Sequence, residues 1–193
     1  GGYCVMNGSF WEADKRLTFA YVKEGELITK GEKLPGSYAT RAVYFNGTEA
    51  RVSSTIDMNA TGDMIVGLVP DETDLDARGT TLVGVNGSNV YFVVIKGTVA
   101  QGVAELTSRG VHKDNIVQLD GGGSSQLLCT GKTLIASERT IPQGVGIIVP
   151  PESIAAPTVS YEPRPAQGDP IRDETQPLAP MWMSSPTVWY WRE

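Results

Sequence analysis

The chain has 193 residues, 40% of them hydrophobic and 20% charged, the make-up of one globular domain plus an appendage rather than of a disordered chain. A formal net charge of -6 argues against nucleic acid as a partner, because binding to a phosphate backbone needs clustered Lys and Arg. No apolar run approaches the roughly 20 residues that cross a bilayer, so no membrane span is expected.

The chain opens on Gly1-Gly2-Tyr3 without an initiator Met and enters an apolar stretch at once, so an upstream piece, cleaved or left out, is expected. Strands are predicted over residues 3–6, 17–22, 42–45, 64–68, 81–85 and 90–95. Turn pairs separate them: Asn7-Gly8, Glu24-Gly25, Asn46-Gly47, Asn86-Gly87 and Lys96-Gly97. The nearly unbroken apolar run at 90–95 implies a strand covered on both faces.

A helix is predicted over 99–109. Thr98 and Gln101 form a capping box at its start, Gly110 stops it, and Val99, Val103 and Leu106 share a face that docks on a sheet. A strand at 115–119 then runs into Asp120-Gly121-Gly122-Gly123-Ser124-Ser125, and apolar character resumes at 126–129 and again at 145–149. From Pro150 the composition changes, since residues 150–193 hold nine of the twelve prolines and three of the four tryptophans. Prolines at that density block sheet and helix alike. The reading is a domain at 1–149, then a Pro-rich linker and a Trp-rich C-terminal tail at 150–193 that packs on the domain or on a partner.

Cys4 and Cys129 read as two buried free thiols, with a single disulfide as the alternative. Asn-x-Ser/Thr sequons occur at Asn7, Asn46, Asn59 and Asn86. No spacing of His, Cys or acidic residues suggests a metal site, and no cofactor is expected; a divalent cation near Asp120 has no support in the sequence. The single histidine, His112, reads as a solvent-exposed bystander.

Three glycines after a carboxylate at a strand end allow positive φ repeatedly, which folds successive N–H groups into an anion-binding nest suited to phosphate. Ser124 and Ser125 add hydroxyl donors. No Gly-Lys-Ser/Thr follows, and the dinucleotide-binding spacing is missing, so neither nucleotide loop applies.

The run Asn115-Ile-Val-Gln-Leu-Asp-Gly-Gly-Gly-Ser-Ser-Gln126 resembles the signature of the phosphodiester glycosidase family. The likeness extends to Asn7-Gly8-Ser9-Phe10, to residues 78–85, to Gly131-Lys132 and to residues 139–146, in family order. It implies an α+β domain with a mixed β-sheet core and few helices. It also implies hydrolysis between a sugar's anomeric carbon and a phosphodiester, on a substrate like N-acetylglucosamine 1-phosphodiester, and an extracellular, cell-envelope or virion setting.

On that reading Asp120 faces the anomeric centre or the sugar hydroxyls, and Asn7 binds the sugar or orients Asp120. Gly121, Gly122, Gly123, Ser124 and Ser125 hold the phosphate together with Thr80. Arginine forks onto phosphate oxygens, with Arg78 the first choice as clamp, Arg139 the second and Arg41 the third. No second carboxylate stands out from Asp57, Asp63, Asp71, Asp74 and Asp76. The alternative is a non-catalytic phosphosugar-binding or structural module of a surface protein.

Overall fold

A computed structural model describes residues 2–33, 38–47, 49–87, 89–137, 139–149 and 188–191. Its strands follow the apolar alternation of the sequence. In chain order they are β1 (Gly2–Asn7), β2 (Tyr21–Lys23), β3 (Glu26–Thr29), β4 (Thr40–Phe45), β5 (Ala50–Ser53), β6 (Asp63–Leu68), β7 (Thr80–Asn86) and β8 (Asn89–Ile95). After helix α1 (Val99–Ser108) come β9 (Ile116–Gln118), β10 (Leu127–Cys129), β11 (Lys132–Ile135), β12 (Gly144–Val149) and β13 (Val188–Trp191).

Two sheets result. The smaller runs β11-β10-β1-β12-β13; the larger runs β3-β2-β6-β9-β7-β8, with β4 on the other side of β6 and β5 beyond it. Met6 and Val145 of the smaller sheet pack with Val43, Phe45, Ile65, Val83, Val117 and Leu119 of the larger, forming a buried layer between them. The outer face of the larger sheet is covered by α1, whose Val99, Val103 and Leu106 meet Leu82, Tyr91, Val93 and Ile116. Strand β8 is therefore packed on both sides: Val90 and Val94 point into one layer, Tyr91 and Val93 into the other. The capping box of Thr98 and Gln101 forms as its spacing dictates.

This architecture corrects the α+β expectation with its mixed sheet. Every strand pairing among the described residues is antiparallel, and α1 is their one α-helix, so the fold is predominantly β. The reason lies in the β8-α1-β9 connection. A helix between two strands usually returns the chain to a parallel neighbour, but here β7 stands between β8 and β9 and pairs antiparallel with both. Strands β8 and β9 point the same way without touching. Strands β3, β5 and β11, absent from the sequence prediction, are short edge strands; each pairs with one neighbour and lays only one or two apolar residues on the core, Leu27, Ala50 with Val52, and Ile135.

The cysteine reading is also corrected. Cys4 and Cys129 form a disulfide although 125 residues separate them. They are directly opposed in the β1–β10 ladder, a proximity that only strand pairing creates. Such a cross-link is worth about 2–4 kcal/mol through its constraint on the unfolded chain, and it ties together two strands that border the glycine loop.

The expected proline-rich linker lies outside the described residues. From the tail, the backbone of β13 pairs antiparallel with β12 at the edge of the smaller sheet. No described helix is long and apolar enough to cross a membrane.

Candidate active site

The larger sheet divides at β6. Along one edge of that strand, Met64 and Ile65 pair with β2, whereas Leu68 pairs with Gln118 of β9. The Val66 carbonyl falls in the gap between those two partners, and the Ser9 hydroxyl donates to it. Buried backbone acceptors require a partner, so the segment just after β1 is drawn into the split. Gln143 completes the anchor: its side-chain carbonyl accepts from the Ser9 amide at 2.9 Å and its backbone carbonyl from the Gly8 amide at 2.8 Å.

Asp120 follows β9 at this junction, its amide bonded to the Gly8 carbonyl at 3.2 Å. Asn7 holds it from below. The Asn7 Nδ2 donates to the Asp120 carbonyl, and Oδ1 accepts from the Thr81 hydroxyl at 2.9 Å and the Gln126 amide at 3.1 Å. Thr81 also lies 3.3 Å from the Ser125 hydroxyl. Asn7 is 1% exposed, so its side chain is committed to both ends of the glycine loop and positions Asp120 rather than reaching a ligand.

The loop is a short 3-10 turn, Gly122–Ser124. Among its three glycines only Gly122 takes positive φ, at 59°. The Gly121 amide bonds the Asp120 carboxylate at 2.9 Å, the Gly122 amide the Gly79 carbonyl at 2.9 Å, and the Ser124 and Ser125 amides the Gly121 and Gly122 carbonyls. These four donors have partners within the protein, and the repeated positive φ expected of the loop is not found. Ser124 and Ser125 are buried as well.

Gly79 was legible only as an interruption between Arg78 and the threonines. In the structure it lets the start of β7 lie against the loop: a Cβ there would meet the Ser125 hydroxyl at 2.6 Å and the Gly122 carbonyl at 2.8 Å. Thr80 is buried and donates to the Gly97 carbonyl at 2.7 Å, away from the loop; its neighbour Thr81 joins the Asn7 network instead. Arg78 turns to solvent and pairs with Asp76 at 2.7 Å. Arg41 is bound by the carbonyls of Lys113 and Ile116 and by Asp114. Neither arginine is among the groups that act on the Asp120 carboxyl.

Arg139 does come to Asp120. Burial pushes the Asp120 carboxyl above its ordinary value, while the approach of Ser124, the Gly121 amide, the Arg139 charge and Trp11 pulls it back in part. Ser124 Oγ and Trp11 Nε1 face the carboxylate without closing a well-aligned hydrogen bond, and each is buried with no partner. No second carboxylate is among the main influences on Asp120. Asp57, Asp71, Asp74 and Asp76 accept from amides two residues further on, and Asp63 from the Glu24 amide.

The sequence reading passed over Trp11, Lys15, Thr81, Ser137 and Gln143. Trp11 carried one signal, as the single tryptophan of residues 1–149; the others had none. Ser137 accepts from the Arg139 amide at 3.1 Å and lies 3.0 Å from the Gly123 carbonyl, joining the arginine's loop to the glycine loop. Among the described residues no three His, Cys, Asp or Glu side chains gather where a metal ion could sit.

No protein-family model matches the chain, and no curated protein matches it. Among solved structures it is similar to the catalytic domain of zebrafish N-acetylglucosamine-1-phosphodiester alpha-N-acetylglucosaminidase, auto-inhibited by its pro-peptide. The TM-score is 0.54 at 15% sequence identity, over 68% of this chain. The chain covers 55% of that structure's length, and the likeness is one of fold.

Proposed function

We propose that the chain is a hydrolase domain that cleaves the glycosidic bond of a sugar 1-phosphodiester, with Asp120 at the anomeric carbon. The observation that carries this reading is the environment of Asp120: a desolvated carboxyl, fixed from behind by Asn7 and Gly121, with an arginine and two unpartnered donors in front. A carboxyl group with a raised pKa at a junction of strands is a candidate for proton transfer. Fold similarity to a glycosidase, and the Leu-Asp-Gly-Gly-Gly-Ser run, agree in substrate class.

The chemistry suits a single carboxylate. A phosphodiester leaves readily as an anion, so its departure needs charge stabilisation more than a proton donor. Ionised Asp120 takes the proton of the attacking water and offsets positive charge developing at the anomeric carbon. Arg139 lowers the cost of the departing negative charge. The test is release of free N-acetylglucosamine from a UDP-N-acetylglucosamine-like phosphodiester by the full chain. Asp120→Asn is expected to lower turnover by about a hundredfold or more while the circular-dichroism spectrum is unchanged; turnover equal to wild type in that variant discards the reading.

A further inference from the structure

We propose that Lys15 and Arg139, gathered at the ring of Trp11, form the phosphate-binding half of this site and recognise the anion of a sugar 1-phosphodiester. The inference rests on the hydrolase reading for the identity of the sugar, but its geometry is independent of it.

The Lys15 ammonium lies 4.0 Å from the centroid of the Trp11 ring and the Arg139 guanidinium 5.8 Å from it. Two cations brought to one ring repel each other unless an anion joins them. Within 4.0 Å, neither has a carboxylate partner among the described residues, in contrast to Arg16, Arg41, Arg78 and Arg109, each of which has one. The Lys15 ammonium donates to the Thr140 carbonyl at 2.8 Å, one residue from Arg139.

The backbone adds a second observation. Lys15 sits in the left-handed region at φ 71°, inside a tight turn closed by Glu12–Arg16 and Lys15–Glu12 backbone bonds and a Trp11–Leu17 bridge. Glycine or asparagine occupies such a position at least cost. A lysine there, held over a ring beside a candidate catalytic carboxyl, is strain of the kind that gathers at functional sites.

The third observation is the Trp11 indole N–H, which is buried and without a partner while its ring edge approaches Asp120. Ser124 Oγ, fully buried and likewise unpartnered, approaches the same carboxyl. Both donors are thus aimed at the Asp120 carboxylate, which sets the Trp11 ring, and the two cations at it, beside that carboxyl. Lys15 also lines a pocket with Arg16, Pro142 and Gln143. Arg78 and the amides of Gly121, Gly122, Ser124 and Ser125, among the phosphate ligands expected from sequence, are engaged elsewhere.

The test is calorimetric titration of the full chain carrying Asp120→Asn, which prevents hydrolysis during binding. The probes are N-acetylglucosamine 1-phosphate and neutral N-acetylglucosamine. Adding Lys15→Asn or Arg139→Met is expected to weaken the phosphorylated probe about tenfold each, as loss of a charge-assisted contact does. Lys15→Arg should stay within about threefold of the parent, because it keeps the charge. Arg78→Met should change affinity by less than about twofold, as for an exposed ion pair, and the neutral probe should be indifferent to every one of these changes.

Lys15→Asn suits the left-handed position, so its thermal melt should match the parent's. Equal affinities in the Lys15→Asn, Arg139→Met and parent proteins overturn the proposal, as does a loss in Arg78→Met as large as theirs, or no binding of the phosphorylated probe. Should wild-type chain release no sugar while the phosphorylated probe still binds through Lys15 and Arg139, the hydrolase reading fails and this inference stands. Turnover that is lost in Asp120→Asn but indifferent to Lys15→Asn and Arg139→Met keeps the hydrolase reading and overturns this inference.

Discussion

The segment ending at Arg78 and the loop beginning at Asp120 meet across Gly79, yet they hold their acids in opposite ways. Asp76 is solvated and gripped by Arg78, which lowers its pKa to about 2. Asp120 is desolvated, and the charges and donors near it only partly offset burial, so its pKa is raised. The first arrangement satisfies a surface turn by itself; the second leaves a carboxyl with unfinished interactions. Arg78 and Asp120 each stand beside a glycine at a strand end, and of the two only Asp120 is buried, at the split in the larger sheet.

The largest effect expected on this contrast comes from Asn7→Ala. It removes a buried side chain with three hydrogen bonds and leaves the Thr81 hydroxyl and the Gln126 amide short of an acceptor. A loss of about 2–4 kcal/mol is expected, read as a drop in melting temperature of several degrees, together with reduced turnover. An Asn7→Ala protein as stable as wild type would mean that the network does not hold the loop.

Next is Gly79→Ala, which joins the two regions by collision: its Cβ would press on the Ser125 side chain and the Gly122 carbonyl. Overpacking of this kind costs about 1–3 kcal/mol, and turnover should fall more than stability, because the displaced element is the loop that carries Asp120. Thermal melts and rates measured on the same preparation separate the two.

A smaller effect, of opposite sign, is expected for the stability of Asp120→Asn. An acid whose folded pKa is raised favours the fold while protonated; that contribution is complete below 3.8 and lost as pH rises through the raised value. Above that raised value the wild type carries the buried charge, so Asp120→Asn should melt higher there, and the gap should close as the pH falls to 3.8. A variant that melts lower than wild type at every pH would show that Asp120 is a structural anchor instead.

The smallest effect belongs to Arg78→Ala. The pair it breaks is exposed, so turnover should stay within about twofold of wild type and the melting temperature should hardly move at pH 7. The attraction on Asp76 is present above 3.8 and lost as pH falls through about 2, so any difference disappears in acid. A large loss of turnover in Arg78→Ala would restore that arginine to the site and erase the contrast.

Much of the local structure was legible in the residues. The capping box at Thr98 and Gln101, the doubly covered strand at 90–95, and the strand that delivers Asp120 each follow from short-range rules, because caps, alternation and turns involve partners a few positions away. The polar edge strands β3, β5 and β11 were not legible, since their extension depends on a neighbour and not on their own apolar pattern. Leu17 to Ala20 looked like part of a strand, but Leu17 only bridges Trp11, Thr18 to Ala20 pack as buried loop, and only Tyr21–Lys23 joins the ladder.

What the sequence alone determined is the presence of a carboxylate, Asp120, at the end of a buried strand and followed by a glycine turn, since hydrophobic periodicity and glycine's freedom are properties of adjacent residues. Only the tertiary structure decided its company. Asn7, Trp11, Thr81 and Arg139 act on Asp120 or its loop because β1 and β9 converge where the larger sheet splits, and because Thr140 and Gln143 are bonded across to Lys15 and Gly8, far away in the chain. Contacts between residues a hundred positions apart leave no local pattern, so the approach of Arg139's charge to Asp120, the disulfide, and the antiparallel sheets became visible only once the chain had folded.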